Sequence, residues 1–585
     1  MHQHQPRHAP SWSKPGVSRA LAVIALVCGL PATKAAQDTA CFPLGVAAGD
    51  VRATSAILWT RADRPGPFRY ELATDETFAT LAASGTVEAT PEDDLILRVV
   101  VADLEPATAY VYRFLDAADP ACTSRIGHFR TPPAADTPAE LRLVFTGDTN
   151  IAYAPFGLAG PAAAEHPDLF IWMGDTIYAD DPASRVGVAR TLAQYREKYR
   201  EIRRDPYMQS LLASTALWVG WDDHEVENDY AGGVPTTPPA QIEDAYRAFF
   251  EYMPVARADT SDDPYREYRS FRWGSSVEFF ILDERQYRDV SAEETCGGNL
   301  DPLGTILGPL TRRSACVEAL SAPRTMLGSR QLDWLEHGLA ASTARVKFVV
   351  NGVPLGFLGV FPYDRWDGYD HERRELLEFI DANQITGIIF LTTDFHSNWY
   401  NPDVAAWFAS HRRDYRLPHG VRVVEAVVGP LGMETMRQTL VDFPIAYLNL
   451  PNGPVVRGIL GWLERMVVRR LKVAGGYAFA QSNRRGYVVI DVTPAGDVRL
   501  TYRGAPPEQS NGPDVVPETL FSAEIPAPQT GETENASDAA GGDDHATEGG
   551  SGPARSLAAG IPCVFPVLLA GIAAWIPLRL ARRRR

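Results

Sequence analysis

The sequence predicts an α/β layered fold behind a small all-β module. Two observations carry that expectation. From residue 140 onward, strongly apolar runs of strand length alternate with helical patterns such as ARTLAQYREKYREIRRD, as strands joined by helices do. Residues 42 to 133 instead read as short runs of alternating apolar and polar residues, broken by Pro, Gly and Asp. A third observation concerns chemistry: five of the apolar runs stop on a residue able to bind a metal ion. At 585 residues the chain has room for two or three domains.

Taken in order, residues 1–36 read as a secretory signal peptide. Lys14 and Arg19 precede ALAVIALVCGL, and small residues follow in ATKAA. At the far end, residues 523–555 are rich in Gly, Asp, Glu and Ser and read as a disordered acidic stalk. Residues 556–578 carry no charge and are long enough to span about 30 Å of hydrocarbon, with five arginines behind them to stay cytoplasmic. A processed C-terminal sorting signal is the alternative to a permanent anchor. The body is thus expected outside the inner membrane, periplasmic or at the cell surface, tethered by its C-terminal helix. Residues 37–555 carry 47 basic against 73 acidic residues, a balance of −26, which argues against nucleic-acid binding as a main role.

Cys28 and Cys563 lie in the two apolar ends, leaving Cys41, Cys122, Cys296 and Cys316 for an oxidising compartment. Four cysteines allow three pairings. Cys41–Cys122 and Cys296–Cys316 are preferred because each closes within one local region.

In the front module, residues 37–135, the stretches ATSAILWTR, FRYELAT, LILRVVVADL and AYVYRFLD read as strands. LEPATAYVYRF, with Tyr110 and Tyr112 alternating across a strand, has the pattern of the tyrosine corner of immunoglobulin-like sandwiches. A fibronectin type III-like module with a packing or spacing role is expected.

The second domain, residues 136–510, holds the five runs. LRLVFTG ends in Asp148, DLFIWMG in Asp175, ALWVGWD in Asp223 and His224, VKFVV in Asn351, and ITGIIFLTT in Asp394 with His396 two residues on. Active sites of open α/β sheets lie beyond the carboxyl ends of their strands. One Asp after a strand is ordinary turn or cap chemistry. Five such endings mixing Asp, Asn and His are hard to assign to caps alone. A first metal would take Asp148, Asp175, Tyr178 and His396. A second would take Asp175, Asp223, Asn351 and Asp394, an all-oxygen set that favours calcium, magnesium or manganese over zinc. Asp175 is the natural bridge, and the Tyr178 phenolate is a hard donor suited to ferric iron. His224 would protonate a leaving oxygen, oriented by Asp222 or Glu225.

The stretches LGVAAGDVRATSAILWTR, MGDTIYAD, WDDHEVENDY, LDERQYRD, MLGSRQLDWLEHGLAASTARVKFVVNGVP, WDGYDHER and TTDFHSNW, in that order, resemble the alkaline phosphatase D (PhoD-like) branch of the calcineurin-like metallophosphoesterases. The resemblance implies a four-layer α/β/β/α sandwich behind a β-sandwich module. It also implies hydrolysis of phosphate esters by a metal-held hydroxide at an iron–calcium centre, with Mg2+, Mn2+ or Zn2+ as alternative ions. It matches the bridging Asp to Asp175, the tyrosinate to Tyr178, the proton donor to His224, the Asn ligand to Asn351, and the closing Asp-x-His to Asp394 and His396. Three positions depart from it: Asp148 stands where a cysteine ligand is common, Asn150 stands where a His ligand is common in the wider superfamily, and Thr393 replaces the Gly before Asp394.

Substrate contacts are expected from Asn150 and Arg285, with an internal salt bridge as the alternative for Arg285. VRGILGWLERMVVRRLKV is a basic amphipathic helix, read as core-covering, with membrane contact or a lid over the site as alternatives. The function read from all this is hydrolysis of a small-molecule or lipid phosphate ester outside the cytoplasm. A phospholipase D-like phosphodiesterase is the first alternative and an inactive cell-surface binding protein the second.

Overall fold

The computed structural model describes residues 41–119, 121–233, 236–258, 263–292, 322–358, 364–447 and 449–528. The expected signal peptide, Cys296, Cys316 and the C-terminal apolar segment lie outside the described residues.

Two large sheets face each other. The first has nine strands, in the order 518–525, 498–505, 485–492, 141–146, 169–173, 216–220, 46–52, 55–61 and 96–101. The second has seven, in the order 269–273, 277–281, 346–351, 388–392, 423–427, 398–401 and 479–481. The middle strands of both are parallel and read as unbroken apolar runs, because each is covered on both faces: Leu169–Met173, Ala216–Gly220 and Ile388–Thr392 are buried throughout. Phe145, Ile171, Met173 and Trp218 of the first sheet share one core with Phe279, Phe348, Val350 and Leu391 of the second. Trp218 and Phe271 stack between them at 4.2 Å.

Helices close the outer faces. Leu192–Arg203, Pro206–Ser214 and Pro239–Tyr252 turn apolar faces onto the first sheet. Gly328–Ala341, Asp370–Ala382 and Val404–His411 do so on the second. The result is a four-layer α/β/β/α sandwich. Pro206–Ser214 starts cleanly because Asp205 accepts from the Tyr207 and Met208 amides at 3.0 Å, with Pro at its first position.

The front module is a β-sandwich with a shared wall. Its four-stranded sheet runs 81–89, 66–73, 109–116 and 127–130. Its other sheet, strands 46–52, 55–61 and 96–101, continues the nine-stranded sheet: Ala48 and Gly49 pair in parallel with Ala216 and Leu217. The Tyr110 hydroxyl accepts from the Glu105 amide at 2.9 Å, pinning the corner, and Cys41 is bonded to Cys122. At the other edge, Glu518–Ile525 pairs with Val498–Ala505, Ile525 opposite Val498. Ordered sheet therefore runs past the expected end of the second domain and through residues 523–525, which the sequence reading assigned to the stalk.

Candidate metal centre

Register brings the strand ends level. Thr146 pairs with Trp172, Met173 with Gly220, and Asn351 with Thr392. The chain therefore leaves each strand at one end of the sandwich, and the turns that follow are sharp. Asp148, Asp175, Asp394 and His396 have φ of 58°, 50°, 59° and 47°, left-handed values uncommon for residues with a Cβ, which cluster where a site holds its backbone in place. Gly174, φ 69°, precedes Asp175 because a Cβ there would lie 2.6 Å from the Cβ of Asp222. The Thr393 hydroxyl donates to the Met173 carbonyl at 3.0 Å, tying the last turn of one sheet to a strand end of the other.

Three groups of side chains result. Oxygens or ring nitrogens of Asp148, Asp175 and His396 lie within 4.8 Å of one another, as do those of Asp175, Asp223 and His224, and those of Asp222, Asp223 and Asp394. Asp175 is common to the first two groups and Asp223 to the last two. The Tyr178 hydroxyl is 3.1 Å from His396 Nε2, which is 3.9 Å from Asp148 Oδ1. A fourth group, Asp223, Asp229 and Asp364, continues the acidic chain away from the centre.

Many of these oxygens have no protein partner. Asp148 Oδ1 and Oδ2, Asp175 Oδ2, Asp222 Oδ2 and Asp223 Oδ1 are buried without a hydrogen bond among the described residues. Buried carboxylates in mutual contact are costly unless cations compensate them. Burial and the charges of Asp394 and Asp222 push Asp148 well above the usual carboxylate range. Burial, with Asp223 and Asp222 nearby, does the same to Asp175. Burial also raises Asp222 to about 7 and Asp394 to about 6. Asp223 falls below the ordinary value because Arg285 and His224 outweigh its burial. Burial and the charges of Asp175 and Asp148 hold the Tyr178 phenol well above its ordinary value, so a strong positive charge is needed to make it a phenolate. Orphaned oxygens, an imidazole and a phenol form a donor set that fits metal cations, and Asp175 is common to two of the groups.

The two histidines are driven apart. Burial and the neighbouring His224 lower His396 to about 3, leaving a neutral imidazole fit to ligate. Burial opposes protonation of His224, but Asp175, Asp223 and Asp180 outweigh it and raise its pKa well above the ordinary value. Its Nδ1 lies 2.7 Å from Asp180 Oδ1, and Asp180 Oδ2 accepts from the Asn228 amide at 2.9 Å. The ring lies against Tyr178, with centroids 4.1 Å apart and planes tilted by 32°. The orienting carboxylate is therefore Asp180, not Asp222 or Glu225. Asp222 is bonded by Arg285 Nε, and Glu225 accepts from the Thr176 and Asp222 amides at 2.6 and 2.8 Å.

Other expected residues fall around this centre. Asn351 accepts from Trp366 Nε1 at 3.2 Å and donates to Thr392 Oγ1 at 2.6 Å. Asn150 caps a short turn through the Ala152 amide and donates to Asp181 at 2.6 Å. Arg285 is wholly buried and takes the alternative foreseen for it, an internal ion-pair network. It reaches Asp364 at 2.9 Å, Asp223 at 3.6 Å and Asp394 at 3.8 Å, besides Asp222. Sequence reasoning missed Asp180 and Asp364. The doublet after Tyr178 in YADD was a visible signal for the first; Asp364, in YDRWDG, offered none.

Comparison with known proteins gives this site a family. The family model described as PhoD-like phosphatase matches residues 144–500, and that of its N-terminal domain matches residues 29–133. The chain belongs to the PhoD-like phosphatase family. Alkaline phosphatase D of Bacillus subtilis (strain 168) is 30% identical over 396 residues, which is 61% of this chain and 65% of that protein. The chain thus matches somewhat under two thirds of that relative's length. A solved structure of PhoD superposes with a TM-score of 0.66 at 25% identity, over 84% of this chain and 91% of that one. The PhoD-like match spans all five strand endings, from Asp148 to His396, so the family assignment and the convergence of ligands rest on the same stretch of chain.

Proposed function

We propose that this protein is a metal-dependent phosphoesterase acting outside the cytoplasm. The observation that carries the reading is the shared carboxylate. Asp175 joins the Asp148–His396 group to the Asp223 group, in a site whose buried oxygens lack other partners. Asp148, Asp175, Tyr178 and His396 would hold one cation, and ferric iron suits the phenol. Asp175, Asp223, Asn351 and Asp394 would hold the other, with Asp222 beside Asp223 and Asp394, and calcium suits an all-oxygen set. Such cations, when bound, offset charge on phosphoryl oxygens and acidify a water.

The chain's own residues supply the rest. Asp180 holds Nδ1 of His224, which leaves a proton on Nε2 for the leaving oxygen. Arg285 fixes Asp222 and lies within reach of Asp223 and Asp394, keeping the second set of oxygens together. Asp148, Asp175, Asp222 and Asp223 are buried, whereas His224, Asp394 and His396 keep about a fifth of their side chains exposed. No serine stands among the converging residues, so the reading needs no phosphoenzyme. The Cys41–Cys122 bond supports an oxidising compartment.

The test compares hydrolysis of nitrophenyl phosphate and bis-nitrophenyl phosphate by metal-replete protein, with Asp175→Ala as the blank. Turnover above the blank is expected. Preference for the diester would move the reading to a phosphodiesterase of phospholipase D-like specificity, and preference for the monoester would support a phosphomonoesterase. No turnover of either would refute the general phosphoesterase reading.

A further inference from the structure

We infer that the helix Pro454–Ala474 docks flat on an anionic lipid surface. Its sequence, PVVRGILGWLERMVVRRLKVA, is apolar on two opposite faces. One face turns inward: Leu471 is buried in one cluster with Trp399 and Tyr477, and Val467 and Val468 pack against that cluster. Glu464 is buried on the same side and accepts from the Ser482 hydroxyl. The opposite face is the unusual one. Val455, Ile459, Trp462, Met466 and Val473 follow one another at helical spacings and share one line along the helix. Val455 is 72% exposed, Ile459 44%, Trp462 46% and Val473 75%.

This is a concentration, not scatter. Of eight exposed large hydrophobic residues among the described residues, five lie on this helix and the helix Met436–Tyr447 beside it, Phe443 being the fifth. Single exposed apolar residues need no explanation, whereas a contiguous stripe does. Gly458 adds open space on the same side, and the Trp462 ring has the amphipathic character favoured at a bilayer interface.

Charge selects the occupant. The helix carries Arg457, Arg465, Arg469, Arg470 and Lys472 against the single, buried Glu464; Arg457 is paired with Asp442 of the neighbouring helix at 2.6 Å, so the other four cations carry the charge of the strip. It is a basic strip on a body whose balance is −26. Arg469 and Arg470 flank the apolar line on either side, where headgroup phosphates would meet them while the line enters the acyl boundary. With four further cations along its length the helix lies in the surface; among the described residues no helix is long and apolar enough to cross a membrane. The rest of so acidic a body would be repelled by the same lipid, so this face alone sets the orientation. Val467, Val468 and Leu471 share one apolar cluster with Phe395, which sits between Asp394 and His396.

The experiment uses the full chain with vesicles of phosphatidylcholine brominated in its acyl chains, with or without phosphatidylglycerol. Quenching is compared between wild type and Trp462→Phe, so that the difference reports Trp462. With phosphatidylglycerol we expect a clear excess of quenching in wild type. It should weaken about tenfold in phosphatidylcholine alone or in the Arg465→Glu, Arg469→Glu, Arg470→Glu triple variant. A tether elsewhere in the chain would bring the protein to the vesicle without burying Trp462, so zero difference overturns the inference. Shielding of Trp462 without vesicles, with a dimer mass in light scattering, would assign the stripe to a second copy and also overturn it. Circular dichroism checks that each variant is folded, which the exposure of these side chains predicts.

Discussion

Replacing Asp180 with Asn tests whether His224 is a proton donor positioned by a carboxylate. The substitution keeps the size of the side chain and one acceptor oxygen, but removes the negative charge 2.7 Å from His224 Nδ1. A charge-assisted hydrogen bond stabilises by about 1.5–3 kcal/mol and a neutral one by about 0.5–1.5. The imidazolium therefore loses on the order of 1–2 kcal/mol, or roughly 5- to 30-fold in a step that uses its proton. The assay is turnover of two phosphate esters, one with a nitrophenol leaving group and one with an alkyl alcohol. Nitrophenolate leaves without help, so the loss should fall on the alkyl ester and be small on the nitrophenyl ester. His224→Asn should show the same split, more strongly. Bound metal is measured in parallel, because Asp180 also accepts from the Asn228 amide in the loop after Asp223. Equal losses on both esters with metal content unchanged would refute the assignment of Asp180 and His224 to proton delivery.

Asp175→Ala removes the carboxylate common to two ligand groups, so plasma-mass analysis should find less than half the wild-type metal in a chain with unchanged circular dichroism; full loading would sink the bridging role. Arg285→Met leaves Asp222, Asp223 and Asp364 buried beside an apolar side chain, and should cost about 3–5 kcal/mol in urea unfolding; a loss under about 1 kcal/mol would mean that other groups balance those carboxylates. Asp370 is held down to about 2 because Arg373 and Arg412 outweigh its burial. A carboxyl depressed in the folded state contributes stability at pH values above its unfolded pKa and loses it as pH falls from about 4 to about 2. Asp370→Asn should therefore lower stability by about 2 kcal/mol at neutral pH and flatten the fall in that window; an unchanged acid profile would refute the pairing.

Much of this protein was legible in one dimension. Double-sided burial forces parallel central strands to be apolar throughout, so LFIWM and IIFLT announced themselves, and the residues after them announced the site. The tyrosine corner was legible for a similar reason: a local hydrogen bond, from the Glu105 amide to the Tyr110 hydroxyl, needs only a short spacing. Asp148, Asp175, Asp223, Asp394 and His396 could be listed because each sits just after a strand, and strand ends are sequence events.

Partnership between turns is different. That Asp180, not Asp222, lies on His224 depends on how the loop after Asp175 folds over the loop after Asp223. Asp222 faces the other way because Arg285, on a strand end of the opposite sheet, draws it there. The shared wall of the front module was equally hidden, since a strand pattern names the face a strand buries and not the neighbour at its edge. The sequence by itself determined the layers, the strand endings and the kinds of donor they carry, because these follow from burial and local spacing. Only the tertiary structure decided which carboxylate orients His224 and drove the pKa values of the two imidazoles in opposite directions, because charges couple through space across strands far apart in the chain.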